Sequence, residues 1–129
     1  MRTLGIAVLL VLGANATAIG QGPQPNYQGK SGGVSWFMKV KSGASGKPVR
    51  VMSFGWDGYP CQGDHFTGGS SKSIKVTSGS FSSTQLINGV KAPFTVHGKF
   101  SADAKKATGT VKLKGCGATR SWSMKKGAH

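Results

Sequence analysis

The sequence has little negative charge and few helix-forming residues. Glutamate is absent, the acidic residues are limited to Asp57, Asp64 and Asp103, and the formal net charge is +14. Leucine and alanine are few beyond the first 18 residues, whereas glycine, serine, threonine and valine are plentiful. This composition argues against a helical bundle and favours strands and turns.

The sequence also lacks the common catalytic motifs. Three aspartates offer poor support for hydrolysis by paired carboxylates. There is no Gly-x-Ser-x-Gly elbow, no phosphate loop and no dinucleotide fingerprint, and we interpret His97 as a structural or surface histidine. We therefore expect no enzymatic activity and no cofactor.

The first 18 residues have the order of a secretory signal peptide. A short basic start is followed by an apolar run from Leu4 to Gly13 and by Ala-x-Ala motifs at 14–16 and 16–18. The run is shorter than the roughly 20 residues that span a bilayer. We expect cleavage after about residue 18, a secreted or periplasmic product and no transmembrane segment.

The rest of the chain has the length of one domain of about 110 residues. Residues 19–33 are rich in glycine, proline and glutamine, which predicts a flexible leader. Ordered structure should begin near Tyr27 or Val34, and we place the domain at residues 34–129.

Strand periodicity is clearest at residues 34–41, where Val34, Trp36, Met38 and Val40 alternate with polar or bulky neighbours. Turn residues at 42–48 lead into a second strand at 49–56, and 57–60 should end it. Cys61 then precedes a Gly- and Ser-rich loop.

The second half of the chain predicts further short strands around 74–76, around Phe81, at 94–97 with Phe100 beyond Gly98, and at 107–114 and 119–125. Asn88-Gly89 indicates a tight hairpin turn or a looser loop. Seven or eight short strands favour a sandwich or a barrel, and we prefer a single-domain antiparallel β-sandwich with jelly-roll or immunoglobulin-like topology undecided. Its predicted core is Trp36, Val40, Val51, Phe54, Phe81, Phe94, Phe100, Val111, Leu113 and Trp122.

The two cysteines, Cys61 and Cys116, predict one disulfide, because an even count in an exported chain is typical of oxidised pairs. A metal site formed by Cys61, Asp64 and His65 is the alternative. That set matches no common ligand spacing.

Lysines are the main candidate for a binding surface. Strand parity points four of them outward in two pairs, and an exported surface of this charge attracts polyanions. The alternative is that strand lysines only keep the sheet soluble and protect its edges. The four candidates are Lys39, Lys41, Lys112 and Lys114.

The expected partners are acidic polysaccharide, lipopolysaccharide or nucleic acid. Beyond the signal peptide the chain has only two arginines, Arg50 and Arg120, so binding to nucleic acid should be non-specific.

The late part of the chain contains the motifs 98–101 (GKFS) and 107–111 (ATGTV) followed by Cys116 and Trp122, and earlier motifs lie at 27–29, Phe54, Cys61 and 79–82. Together they resemble a group of secreted bacterial β-sandwich domains of unknown function, and the late motifs resemble the ending of those domains. The resemblance implies a signal peptide, a compact β-sandwich and a disulfide between Cys61 and Cys116, and it brings no catalytic residue. The chain departs from the pattern in its short segment after Cys61 and its excess of lysine.

Two functional hypotheses follow. The first is a non-enzymatic surface or binding module for acidic polymers. The second is a partner-binding protein, such as an enzyme inhibitor or an envelope accessory factor. An inhibitor would need a stiff exposed loop, for which Tyr59-Pro60-Cys61 is the candidate, although an ordinary tight turn explains the same residues.

Overall fold

The fold is all-β. The structure is a computed structural model that describes residues 25–90 and 92–127, and it contains no helix within them. The described residues form nine strands: β1 (Tyr27–Ser31), β2 (Val34–Ser42), β3 (Pro48–Cys61), β4 (Asp64–Ser70), β5 (Ile74–Lys75), β6 (Ser80–Leu86), β7 (Pro93–Phe100), β8 (Lys106–Leu113) and β9 (Arg120–Lys126).

The strands pair antiparallel in one sheet, in the order β4-β3-β2-β1-β9-β8-β7-β6, and β5 pairs with β3. The sheet is nearly closed into a barrel, and we call the gap between β4–β5 and β6 the seam. At least three hydrogen bonds cross the seam, one of them from Nδ2 of Asn88 to Oγ of Ser71 (3.3 Å). The Asn88 backbone N–H donates to the Gly69 carbonyl (2.8 Å), and Nε2 of Gln85 donates to the Lys72 carbonyl (3.0 Å).

An aromatic cluster fills the interior around Phe54. Its ring centroid lies 5.3 Å from that of Trp122, 6.2 Å from that of Trp36 and 6.4 Å from that of Phe94. All ten residues that we predicted for the core are buried. The alternation of the strands therefore identified the inner face correctly.

The expected two-sheet sandwich is not confirmed. A sandwich divides its strands between two sheets, whereas here hydrogen-bonded pairing runs without a break from β4 to β6. The pairing of β1 with β9 makes the sheet continuous, because it joins the first strand of the fold to the last.

The boundary that we placed between leader and domain is too late. The last part of the predicted leader, Tyr27–Ser31, is β1, and Tyr27 is buried with its hydroxyl donating to the carbonyl of Ala104. The sheet begins at Tyr27, which is one of the two predicted starting points. The predicted signal peptide and residues 19–24 lie outside the described residues.

Strand β3 is longer than predicted, and 57–60 does not end it. A bulge between Trp56 and Tyr59 includes Gly58 at φ +83°, after which Tyr59 again points inward and is fully buried. Its ring packs edge-on against Trp36 at 6.1 Å. This burial keeps the strand in the sheet up to Cys61.

The predicted Gly- and Ser-rich loop after Cys61 contains a strand, β4. It was missed because only Phe66 among its inward positions has a large apolar side chain. At Asn88-Gly89 the looser loop is present, since β6 ends at Leu86 and β7 begins at Pro93.

The predicted disulfide is present. Cys61 ends β3, Cys116 lies in the turn after β8, and their Cα atoms are 4.4 Å apart. Three strands separate β3 from β8 in the sheet. The bond therefore crosses one end of the nearly closed sheet.

Candidate functional site

The four candidate lysines do not form one cluster. Lys41, Lys112 and Lys114 are exposed and Lys39 is half-buried. The first pair lies on β2 and the second on β8 and in the turn after it, with β1 and β9 between these strands. The two pairs are therefore separated across the sheet.

The strand register also places the two pairs towards opposite ends of the sheet. Tyr27 of β1 is opposite both Met38, near the end of β2, and Lys126, at the end of β9. Lys106, at the start of β8, is opposite Lys125, so β8 begins at that same end. Lys112 and Lys114 therefore lie at the other end.

The end of the sheet where β2 and β9 finish and where β3 and β8 begin is called the basic end. Ten of the described cationic residues lie there, whereas Asp103 is the single aspartate at that end. The cations are Lys39, Lys41, Lys47, Arg50, Lys75, Lys99, Lys105, Lys106, Lys125 and Lys126.

A row of three cations crosses neighbouring strands at the basic end. Lys41 of β2 is directly opposite Arg50 of β3, which is directly opposite Lys75 of β5, and all three are exposed. Directly opposite side chains of this kind lie about 5 Å apart at Cβ, and like charges in such positions are destabilising. We call Lys41, Arg50 and Lys75 the cationic row.

Buried neighbours hold the cationic row outward. Each member of the row is adjacent in sequence to a buried residue. These buried residues pair with one another across the same strands and point into the core, and they are Val40, Val51 and Ile74. Because side chains alternate along a strand, the three cations must point to solvent. Nη1 of Arg50 donates to Oγ of Ser73 at 3.2 Å.

The aspartates at the opposite end are bound by their own neighbours. A carboxylate oxygen of Asp57 accepts from the Thr67 hydroxyl at 2.5 Å, and one of Asp64 accepts from the backbone N–H of His65 at 2.8 Å. These carboxylates therefore make local contacts rather than neutralise the cationic row.

Asp103 is also held locally. Its carboxylate accepts from the Ser101 hydroxyl at 2.7 Å and from the Lys105 backbone N–H at 3.0 Å. The hydroxyl of Ser101 and then the backbone N–H of Lys105 lower the pKa of this carboxyl. The only aspartate at the basic end is therefore engaged in its own turn.

A polar groove lies beside the cationic row, at the seam. Its volume is about 520 Å³, and Lys75 belongs both to the row and to the groove. The other lining residues are Thr77, Ser80, Phe81, Ser82, His97 and Gly98. Sequence reasoning missed this groove, because it forms where β5 and the turn after it meet the β6–β7 pair at the seam.

The two remaining candidates from the sequence are the metal site at Cys61, Asp64 and His65 and the inhibitor loop at 59–61. Cys61 is bonded to Cys116, and no cluster of three or more metal-ligating side chains occurs within residues 25–90 and 92–127. Tyr59-Pro60-Cys61 is neither an exposed loop nor a tight turn, since it ends β3 and Tyr59 is fully buried. The stiff loop suggested for an inhibitor is therefore absent at this position.

No known family model, curated protein or solved structure matches this chain. In the part of the chain that the structure describes, no helix has both the length and the apolar character needed to cross a membrane.

Proposed function

We propose that this chain is an exported, non-enzymatic protein that binds acidic polymers through its basic end. The cationic row carries the proposal, because it keeps Lys41, Arg50 and Lys75 side by side at an end that has one aspartate. An arrangement that is unfavourable in the free protein becomes favourable when a polyanion neutralises it.

The proposed location is secreted or periplasmic, after removal of residues 1–18. The disulfide supports an oxidising compartment, where such bonds persist. We also propose that the chain is similar to secreted bacterial domains of unknown function, because of the short motifs described above.

The ligand should be recognised by its charge rather than by its sequence. Lysines outnumber arginines at the basic end, and lysine acts as a point charge without the two-pronged geometry that reads bases. Acidic polysaccharide, lipopolysaccharide and nucleic acid all present closely spaced anions of this kind.

A partner-binding role, as an enzyme inhibitor or envelope accessory factor, is the alternative. Its candidate anchor, Tyr59, is buried, so we favour polymer binding.

Retention on immobilised heparin, DNA and lipopolysaccharide across a salt series tests the proposal. We expect elution above physiological salt from at least one matrix, with affinity that falls steeply as salt increases, because binding releases counterions. Elution below physiological salt from all three would mean that the lysines only keep the protein soluble.

A further inference from the structure

The groove at the seam is lined by groups that suit a tetrahedral oxyanion. Lys75 supplies a positive charge, Thr77, Ser80 and Ser82 supply hydroxyl donors, and His97 supplies a ring nitrogen. Hydrogen bonds from such donors to an ionised acceptor are stronger than those between neutral groups. No carboxylate lines the groove within the described residues.

The turn that forms one rim of the groove is held in place before any ligand binds. Thr77 and Ser80 exchange two backbone hydrogen bonds of 2.8 and 3.0 Å around Ser78 and Gly79, which have φ of +51° and +76°. The carbonyl of Gly79 also accepts from the backbone N–H of Phe100 at 2.8 Å. A rim fixed in this way loses little conformational freedom on binding.

The wall of the groove that is formed by β6 and β7 is constrained as well. Ser82 and His97 are directly opposite in the β6–β7 pair, which places hydroxyl and imidazole side by side on the outer face. Behind them, the Phe81 ring fills the space above Gly98, where a Cβ would stand 2.2 Å from Cζ of Phe81. The ring therefore packs directly behind the wall of the groove.

The cationic row leads directly into this groove, because Lys75 is the last member of the row and also lines the groove. Lys99 adds a second cation at the rim, as the cross-strand partner of Ser80. A polymer that lies along the row would bring one of its acidic groups to the groove.

We infer that the groove is a subsite for one phosphate or sulfate group of the bound polymer. The inference rests on the proposed function and adds to it the chemical class of the group that is recognised. Phosphodiesters of nucleic acid and sulfate esters of polysaccharide share this tetrahedral geometry, and the experiment distinguishes them.

Removing hydroxyls without removing charge tests the subsite. The double variant Ser80→Ala/Ser82→Ala should bind single-stranded DNA, heparin or both at least roughly fivefold more weakly than the wild type. The slope of log affinity against log salt should be unchanged, because no cation is lost. Loss on DNA alone would indicate phosphate, and loss on heparin alone would indicate sulfate.

The matched control is Ser121→Ala/Ser123→Ala, which removes two exposed hydroxyls from the outer face of β9. It should bind as the wild type does. Equal loss in both double variants, or no loss at Ser80→Ala/Ser82→Ala, would overturn the subsite while wild-type binding still supported the proposed function. Wild-type elution below physiological salt from DNA, heparin and lipopolysaccharide would instead overturn the proposed function.

Titration with inorganic phosphate and inorganic sulfate, followed by backbone amide resonances, gives a second measurement. We expect the largest shifts at 77–82 and at His97 and Gly98. Shifts confined to the cationic row, with none at 77–82, would contradict the subsite even if polymer binding persisted.

Discussion

Gly109 of β8 is directly opposite Trp122 of β9, and the indole occupies the space where a side chain at 109 would stand. A Cβ on Gly109 would lie 2.7 Å from Cζ2 of Trp122 and 1.9 Å from the carbonyl oxygen of His97. The same ring limits Gly98, where a Cβ would lie 2.8 Å from Cζ2. Two paired glycines thus make room for one large aromatic side chain.

Gly109→Ala should therefore destabilise the protein by roughly 1 to 3 kcal/mol, the usual range for an overpacked core. The His97 carbonyl belongs to the backbone, so β7 would have to move. Urea unfolding measures the change. Thr108→Ala, on the exposed face of the same strand, is the control and should have little effect. Equal stability of both variants would show that β7 and β8 are farther apart than the structure has them.

Trp122→Ala should lower the free energy of unfolding by roughly 3 to 5 kcal/mol, because the ring is buried and packs against Phe54 and Phe81. The substitution also leaves the Thr110 carbonyl without its indole donor, at 3.2 Å. The same urea experiment measures this loss. A change below about 1 kcal/mol would place Trp122 outside the core.

Replacing both cysteines by alanine should reduce stability by up to about 4 kcal/mol, the chain-entropy estimate for a bond between residues 55 apart. Intact mass before and after reduction and alkylation establishes the bond, and urea unfolding of Cys61→Ala/Cys116→Ala measures its effect. Two thiols that react in the native protein without reductant would contradict it.

Both tyrosines should ionise only at unusually high pH in the folded protein. Burial raises the pKa of Tyr27 and of Tyr59 above the ordinary value of about 10, and for Tyr27 the nearby charge of Asp103 raises it further. Since the folded pKa exceeds the unfolded one, this contribution to stability is complete below about pH 10 and is lost as the pH rises through the folded values.

An alkaline titration followed by tyrosinate absorbance, with circular dichroism in parallel, measures this effect. We expect the tyrosines to ionise together with the loss of the fold. Ionisation of both at the ordinary value in a protein that stays folded would show that their hydroxyls reach solvent.

Lys41→Gln/Lys75→Gln should reduce the salt slope of binding to duplex DNA by up to about 2 if both lysines contact phosphates. Lys112→Gln/Lys114→Gln removes the same charge at the opposite end and should change the slope less. Affinity across a salt series gives both slopes. Equal slopes for the two variants would show that binding does not depend on the basic end.

Lys41→Gln/Lys75→Gln also tests whether like charges repel one another within the cationic row. Removing like charges that lie directly opposite should raise the free energy of unfolding slightly at low salt. A clear loss of stability in Lys41→Gln/Lys75→Gln would mean that the lysine stems contribute to packing.

Local sequence patterns were enough to predict which residues of β2 face inward and which residues form the core. Val34, Trp36, Met38 and Val40 are buried as their alternation predicts, because side-chain direction along a strand depends only on position. The disulfide was predictable for another reason, since a chain with two cysteines has one intramolecular pairing available.

The strands that sequence reasoning missed depend on contacts between distant residues. Gly29 of β1 stands where a Cβ would be 2.0 Å from the Ser123 carbonyl, so its place in the sheet reflects close approach to β9 rather than local preference. In β4, Gly69 is similar, since a Cβ there would be 2.5 Å from the Phe54 carbonyl. Glycines of this kind resemble loop residues in a sequence.

The sequence by itself determined the all-β composition, the net charge and the outward direction of the strand lysines. Only the tertiary structure decided which cations meet. It places Lys41 beside Arg50 and Lys75, and it separates Lys41 from Lys112. The physical reason is that strand order and register follow from burial of the inner face and from the near closure of the sheet, and both depend on residues far apart in the chain.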